Sequence, residues 1–128
     1  MLHEELTGKI IAAFYKVYNT LGHGFLEKVY ENALALELKR LQLQAEQQRK
    51  VDVYYEETRV GEYYADIIVN NLVVLELKTA EGIAPEHEAQ LLNYLKATNI
   101  EVGLLLNFGP KPQFIRRIFT NDKKINHG

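Results

Sequence analysis

Tyr63-Tyr64-Ala65-Asp66-Ile67-Ile68-Val69 and Leu72-Val73-Val74-Leu75-Glu76-Leu77-Lys78 are two apolar runs separated by Asn70-Asn71. β-Branched and aromatic residues fill both runs and the asparagines punctuate them, so each reads as a strand. Side chains alternate along a strand, which puts Glu76 and Lys78 on one face and Leu77 on the other. Charges within such apolar strands are costly unless they are paired or hold a metal. Two carboxylates beside a lysine suggest a divalent-cation site with a cation next to it. Taken alone, a Glu-x-Lys on a strand is more often a solvated ion pair of little energetic weight, and Asp66 could equally mark a strand end.

Register sets a further condition. A two-residue turn at Asn70-Asn71 would pair Asp66 with Leu75 and leave Asp66 and Glu76 on opposite faces. A shared site therefore requires a three-residue connection, a bulge or strong divergence of the strands near Asn70-Asn71. Asparagine tolerates the left-handed backbone that such a turn needs.

Working outward, Ile10, Phe14, Val17 and Leu21 recur at helical spacing and predict a helix from Leu2 or Thr7 to Leu21, ended by Gly22-His23-Gly24. Tyr30, Leu34, Leu38 and Leu41 stripe a second helix from Leu26 to Leu41, and a strand spans Gln44 to Tyr55. After the two motif strands and a loop at Glu81-Gly82-Ile83-Ala84, Pro85 suits the first turn of a helix that runs to Thr98. The unbroken apolar run Val102 to Phe108 reads as a buried strand. Gly109 to Pro112 is a turn, Gln113 to Phe119 a last strand, and residues 121–128 a flexible tail. Strand, helix and strand between Lys78 and Val102 form a crossover, which needs a parallel or mixed sheet. The chain thus reads as a single α/β domain over residues 1–128, with one mixed β-sheet flanked by helices.

A length of 128 residues fits one domain with a proper core. Cysteine is absent, which excludes disulfides, thiolate metal sites and a cysteine nucleophile, and suits a cytoplasmic location. The N-terminus shows no basic segment followed by an apolar stretch, and no run approaches membrane-spanning length, so no membrane partner is expected. The net charge of −2 gives the chain no overall pull on nucleic acid, and contact would need a local patch. Lys111, Arg116, Arg117, Lys123 and Lys124 form one candidate, and Lys39, Arg40, Arg49 and Lys50 another.

Glu27 falls on the core-facing stripe of the second helix, one turn in. Either it complements the helix N-terminus or it projects into a polar pocket at the sheet. In the third helix His87, Gln90 and Tyr94 share a face with Leu91 at spacings of three and four. That stripe is either an ordinary helix edge or a set of groups aimed together at a site.

The conjunction of these features resembles a known family. Gly24-x-x-Glu27-x-x-Tyr30 looks like the signature of the GxxExxY family, a branch of the PD-(D/E)XK nuclease superfamily. Asp66, Glu76-Leu77-Lys78, the Gln90-Leu91-Leu92-Asn93-Tyr94-Leu95 helix and the Gly103-to-Gly109 strand follow in the family's order. The resemblance covers about Ile10 to Phe119, and Ala65 stands where the superfamily's name has proline. It implies a restriction-endonuclease-like core in which Asp66 and Glu76 are metal ligands, Lys78 orients water, Glu27 is an auxiliary acid and Gln90 a further site residue.

Carboxylate oxygens suit Mg²⁺ or Mn²⁺, and the Leu77 carbonyl, between the two active side chains, could complete the coordination. Glu27 is a further candidate ligand. His3, His23, His87 and His127 lack the mutual spacing of a zinc site. Tyr94, Arg116 and Arg117 are candidate substrate contacts. The expected function is phosphodiester hydrolysis in nucleic acid, with DNA favoured over RNA by resemblance alone. The alternatives are a non-catalytic protein- or nucleic-acid-binding module on the same fold, and hydrolysis of another phosphorylated substrate. A protein partner or a homodimer is compatible with the small size.

Overall fold

Val102–Phe108 (β4) is buried at every position, as a strand covered by helices on both faces must be. It runs parallel to Val73–Lys78 (β3), from which it is reached through the crossover helix Pro85–Ala97 (α3). The computed structural model describes residues 2–124 and extends this pair into a five-stranded sheet. Ala45–Tyr55 (β1), Thr58–Val69 (β2) and Pro112–Ile118 (β5) complete it in the order β1-β2-β3-β4-β5, all antiparallel to their neighbours except β3 with β4. Glu4–Leu21 (α1) and Glu27–Arg40 (α2) cover one face, and α3 covers the other. This is the α/β, mixed-sheet architecture that the crossover required.

Each face has its own core. Under α1 and α2, Phe14 meets Phe108 edge-on at 4.7 Å and Tyr30 stacks on Phe108 at 4.5 Å, joined by Ile10, Leu34 and Leu38. Under α3, Leu91, Tyr94 and Leu95 pack on Ile68, Val74 and Leu105.

The β1–β2 ribbon serves both cores in turn. Ala45 packs with the α1/α2 core and Val51 with the α3 core, although an even spacing should keep them on one face. Ile67 and Ala65 divide in the same way. The ribbon therefore rolls over between these positions. Gln48 sits at the roll, opposite Asp66 by register, with a left-handed φ of 55°.

β2 begins at Thr58, earlier than the apolar run at Tyr63, because residues 58–62 pair with the far end of β1. Beyond β5, Asn121–Lys123 forms a single 3₁₀ turn. Asn121 donates to Glu101 and to the Asn99 carbonyl, and Lys124 donates to the carbonyls of Thr98 and Ile100 at 2.8 and 2.9 Å. Residues 121–124 of the expected tail are thus tied to the segment between α3 and β4, and residues 125–128 lie outside the described residues.

Candidate active site

The site begins with the β2–β3 register. Val69 pairs with Val73, Ile68 with Val74 and Ile67 with Leu75, leaving three residues, Asn70-Asn71-Leu72, in the connection. Asn70 and Asn71 take left-handed φ values of 52° and 57°, and Leu72 N–H closes the turn on the Val69 carbonyl at 2.9 Å. Of the alternatives that would let the two carboxylates share a face, the chain uses the three-residue connection. In this register Asp66 stands opposite Glu76, on the same face.

The ladder stops at that level. Leu77 N–H donates to Asp66 Oδ2 at 2.8 Å, so a side-chain carboxylate takes the bond that a strand carbonyl would otherwise accept. From Asp66 back to Thr58, β2 pairs with β1 alone among the described residues. The two strands part, and a cleft of about 420 Å³ opens, lined by Tyr63, Tyr64, Glu76, Lys78, Gln90 and Asn93. Lys78 Nζ lies 3.2 Å from Gln90 Oε1, which ties the end of β3 to α3.

Glu27, the first residue of α2, is exposed rather than on the core-facing stripe, and its carboxyl senses the charges of Asp66 and Lys78 from outside the residues that line the cleft. Its approach depends on the residues around it. Gly24 has a φ of 121°, which disfavours any side chain. The Tyr30 hydroxyl donates to the Gly22 carbonyl and accepts from Phe25 N–H, pinning the loop before Glu27. In the Gly-x-x-Glu-x-x-Tyr pattern, glycine and tyrosine thus shape the turn and glutamate carries the charge.

The three carboxyl groups sense one another. Burial, then the neighbouring Asp66 charge, pushes Glu76 up to about 8, with Lys78 opposing. Burial also raises Asp66, against the pull of Leu77 N–H. Glu27 is raised by burial and by the charges of Asp66 and Glu31, with Lys78 opposing. Like charges held close in a partly dry site produce these shifts, and a cation would relieve them.

Some functional residues escaped the sequence reading. Glu31, one turn beyond Glu27, is buried and accepts from Lys28, Gln47 and Gln48 at 2.8–3.0 Å. Gln48 Nε2 also approaches Asp66 Oδ1 at 3.4 Å, so Glu31 steadies Asp66 through Gln48. The four-residue spacing of Glu27 and Glu31 was the available signal. Asn107 is the polar residue in the apolar run of β4. Its side chain holds Ala80 at both N–H and C=O, at 2.9 and 3.0 Å, which fixes the loop after Lys78. Gly109 is required there, because a Cβ would lie 1.9 Å from the Ala80 carbonyl oxygen.

Other candidates lie elsewhere. Tyr94 is wholly buried and meets the Tyr63 ring edge-on at 5.1 Å, and its hydroxyl finds no hydrogen-bond partner among the described residues. The face shared with Leu91 explains this, since Tyr94 follows the apolar side of α3 beneath the cleft. His87 Nδ1 accepts from Ala84 N–H at 3.0 Å and so caps α3. Arg116 and Arg117 sit on β5, two strands from β3, and bond to the Leu2 carbonyl and to Glu88 respectively. They alternate in direction along an edge strand, Arg116 reaching the residues before α1 and Arg117 reaching α3.

Residues 4–118 match a family model described as PD-(D/E)XK nuclease superfamily. The chain belongs to that superfamily. A solved structure, titled "Crystal structure of SSO0001", is similar to this PD-(D/E)XK chain with a TM-score of 0.59 and 18% identity. The likeness covers 92% of this chain and 60% of that one, and it bears on the fold alone. A comparison with curated proteins gives no match. No helix among the described residues is long and apolar enough to cross a membrane.

PD-(D/E)XK nucleases generally use divalent metals, and the donors here fit one. No three carboxylate or imidazole groups among the described residues form a metal cage by themselves. Asp66 and Glu76 nonetheless stand opposite each other by register, close enough that the Asp66 charge raises Glu76. Leu77 directs its N–H at Asp66, and its carbonyl points to the same side of the strand. Two carboxylates and a main-chain oxygen, with water and substrate phosphate, make the donor set of a small, hard cation such as Mg²⁺.

Proposed function

We propose that the protein is a nuclease that hydrolyses phosphodiester bonds with Mg²⁺ or Mn²⁺, acting on DNA ahead of RNA, and that it belongs to the GxxExxY branch of its superfamily. The observation that supports this reading is the three-residue connection, which sets Asp66 and Glu76 on one face where the strands part, with Lys78 beside them.

Asp66, Glu76 and the Leu77 carbonyl are the groups that would hold the cation. When bound, it supplies neutralisation of phosphate charge and acidification of a water. Lys78, tethered to Gln90, places an ammonium in the cleft, where it orients water or meets charge developing on the phosphate. Gln90 fixes that ammonium. Glu27, whose carboxyl is raised first by burial and then by the Asp66 charge, is the auxiliary acid of this reading.

The test has two arms. Cleavage of single- and double-stranded nucleic acids is measured with Mg²⁺ or Mn²⁺, comparing wild type with Lys78→Ala. Mn²⁺ binding is measured by calorimetry, comparing wild type with an Asp66→Asn/Glu76→Gln double variant. Turnover that Lys78→Ala abolishes, together with Mn²⁺ binding that only the double variant loses, supports the proposal. Equal Mn²⁺ binding by wild type and double variant would sink the metal site. A second reading, a binding module without catalysis, is favoured by the net charge of −2 and by the engagement of Arg116 and Arg117 away from the cleft. Absence of cleavage with either metal, alongside a partner retained by Lys78→Ala, would select it.

A further inference from the structure

Past Asp66, β2 and β1 leave the sheet as a two-stranded arm that forms one wall of the cleft. Tyr64 on this wall is 52% exposed, although it lines the same cleft as Glu76 and Lys78. Aromatic and apolar surface continues to the tip, where Tyr55 and Val60 are 66% and 61% exposed.

The arm carries charge but offers little of it. Lys50 bonds to Glu62 at 2.9 Å, and Arg59 bonds to Asp52 at 2.9 Å and to Glu62 at 2.6 Å. Two cations and two carboxylates close on one another. Lys78 is the cation among the residues that line the cleft. Duplex DNA is held chiefly by several lysines and arginines that displace its counterions. This wall instead offers an aromatic face, and sequence-tolerant stacking on such faces is how single strands are held. Bases within a duplex have their faces covered by neighbours, so only a base that has left its stack can use the ring.

We infer that Tyr64 is a base-stacking platform at the cleft mouth and that the substrate class is single-stranded nucleic acid, or the unpaired end of a duplex. This rests on the nuclease reading for what happens after binding, while the binding itself stands apart from it. The plain alternative is that the Tyr64 ring simply covers the stem of Lys50, its cross-strand partner.

The experiment uses the full chain and a fluorescein-labelled oligonucleotide, single-stranded or annealed to its complement. Binding is followed by anisotropy in EDTA, and cleavage by gel in Mn²⁺. Wild type is expected to bind the single strand more tightly than the duplex. Tyr64→Ala should weaken single-strand binding by about 10- to 100-fold, the loss of one base–aromatic stack, and leave duplex binding unchanged. Tyr64→Leu, which keeps an apolar strand residue without a π-face, should behave like Tyr64→Ala. Tyr64→Phe and Tyr64→Trp should behave like wild type. In cleavage of the single strand, KM should rise and kcat should hold.

Equal losses on both substrates, no loss in Tyr64→Ala and Tyr64→Leu, or a loss in Tyr64→Phe would overturn the inference. Cleavage of duplex that ignores Tyr64 would also overturn it and leave the nuclease reading standing. Single-strand binding that depends on Tyr64 without cleavage in Mn²⁺ would do the reverse.

Discussion

Glu76→Gln should make the metal-free protein more stable at neutral pH. In the folded state Glu76 keeps its proton to about pH 8, whereas an unfolded glutamate loses it near 4.5. The unfolded chain therefore gains from ionisation that the folded site resists. Stability is full below about pH 4.5, falls as pH rises, and levels off above about 8. At neutral pH the cost reaches up to about 3–4 kcal/mol, and solvent reaching a partly exposed carboxyl reduces it to about 1–3 kcal/mol. Glutamine removes the ionisation while its amide N–H can still donate to Asp66. The variant should melt roughly 3–12 °C higher than wild type near neutral pH and coincide with it in acid. Thermal melts monitored by circular dichroism across this pH range test the point. Saturating Mn²⁺ should reverse the order, because wild type gains a ligand-stabilised state that the variant has in weaker form. Parallel stability curves for the two proteins, or a variant less stable at every pH, would refute the reasoning.

Asn107→Leu should cost about 2–4 kcal/mol in urea denaturation, because the Ala80 N–H and C=O lose their partners, and should lower kcat while Mn²⁺ binding by calorimetry is kept. Tyr30→Phe keeps the stack on Phe108 but frees the Gly22-to-Phe25 loop, for a loss of about 1–2 kcal/mol and faster hydrogen exchange at the Phe25 amide. Arg117→Ala breaks a half-exposed pair with Glu88 and should cost less than about 1 kcal/mol. Its cleavage rate and salt dependence should match wild type, and a shallower salt slope would return Arg117 to the substrate's path.

The sheet was legible because its strands carry strong local signals. Val102–Phe108 is apolar throughout, Pro85 opens the crossover helix, and the asparagine pair marks the hairpin. The condition on that hairpin was legible as well, since a regular two-residue turn would have put Asp66 and Glu76 on opposite faces, and the three-residue connection is one of the ways to avoid that. What stayed hidden was tertiary. The roll of the β1–β2 ribbon at Gln48 depends on a non-glycine residue with left-handed φ, for which the sequence carries no cue. Tyr94 had the right spacing to join Gln90 at a site, yet spacing on a helix does not say how deep each side chain lies. Arg116 and Arg117 formed a basic pair in the sequence, but neighbours on an edge strand point to opposite faces, and one bonds to the Leu2 carbonyl while the other bonds to Glu88 of α3.

Asp66 has two roles that mutation must separate. Its carboxylate is a candidate cation ligand, and it is also the acceptor that ends the β2–β3 ladder at Leu77 N–H. Alanine at this position removes both. A loss of activity in Asp66→Ala would then mix chemistry with a main-chain donor left unpaired, which costs about 1–3 kcal/mol. Asp66→Asn separates them, because the amide oxygen still accepts from Leu77 N–H while the charge is gone. Removing that charge also relieves Glu76, whose raised pKa owes its second-largest contribution to Asp66. Asp66→Asn should therefore melt at or above wild type near neutral pH, show Glu76 titrating closer to the ordinary carboxylate range by NMR, bind Mn²⁺ weakly and cleave nothing. Asp66→Ala should be equally inactive but less stable. If both variants lose the same stability, Asp66 is not the acceptor that holds the parting strands, and the cleft owes its opening to some other contact.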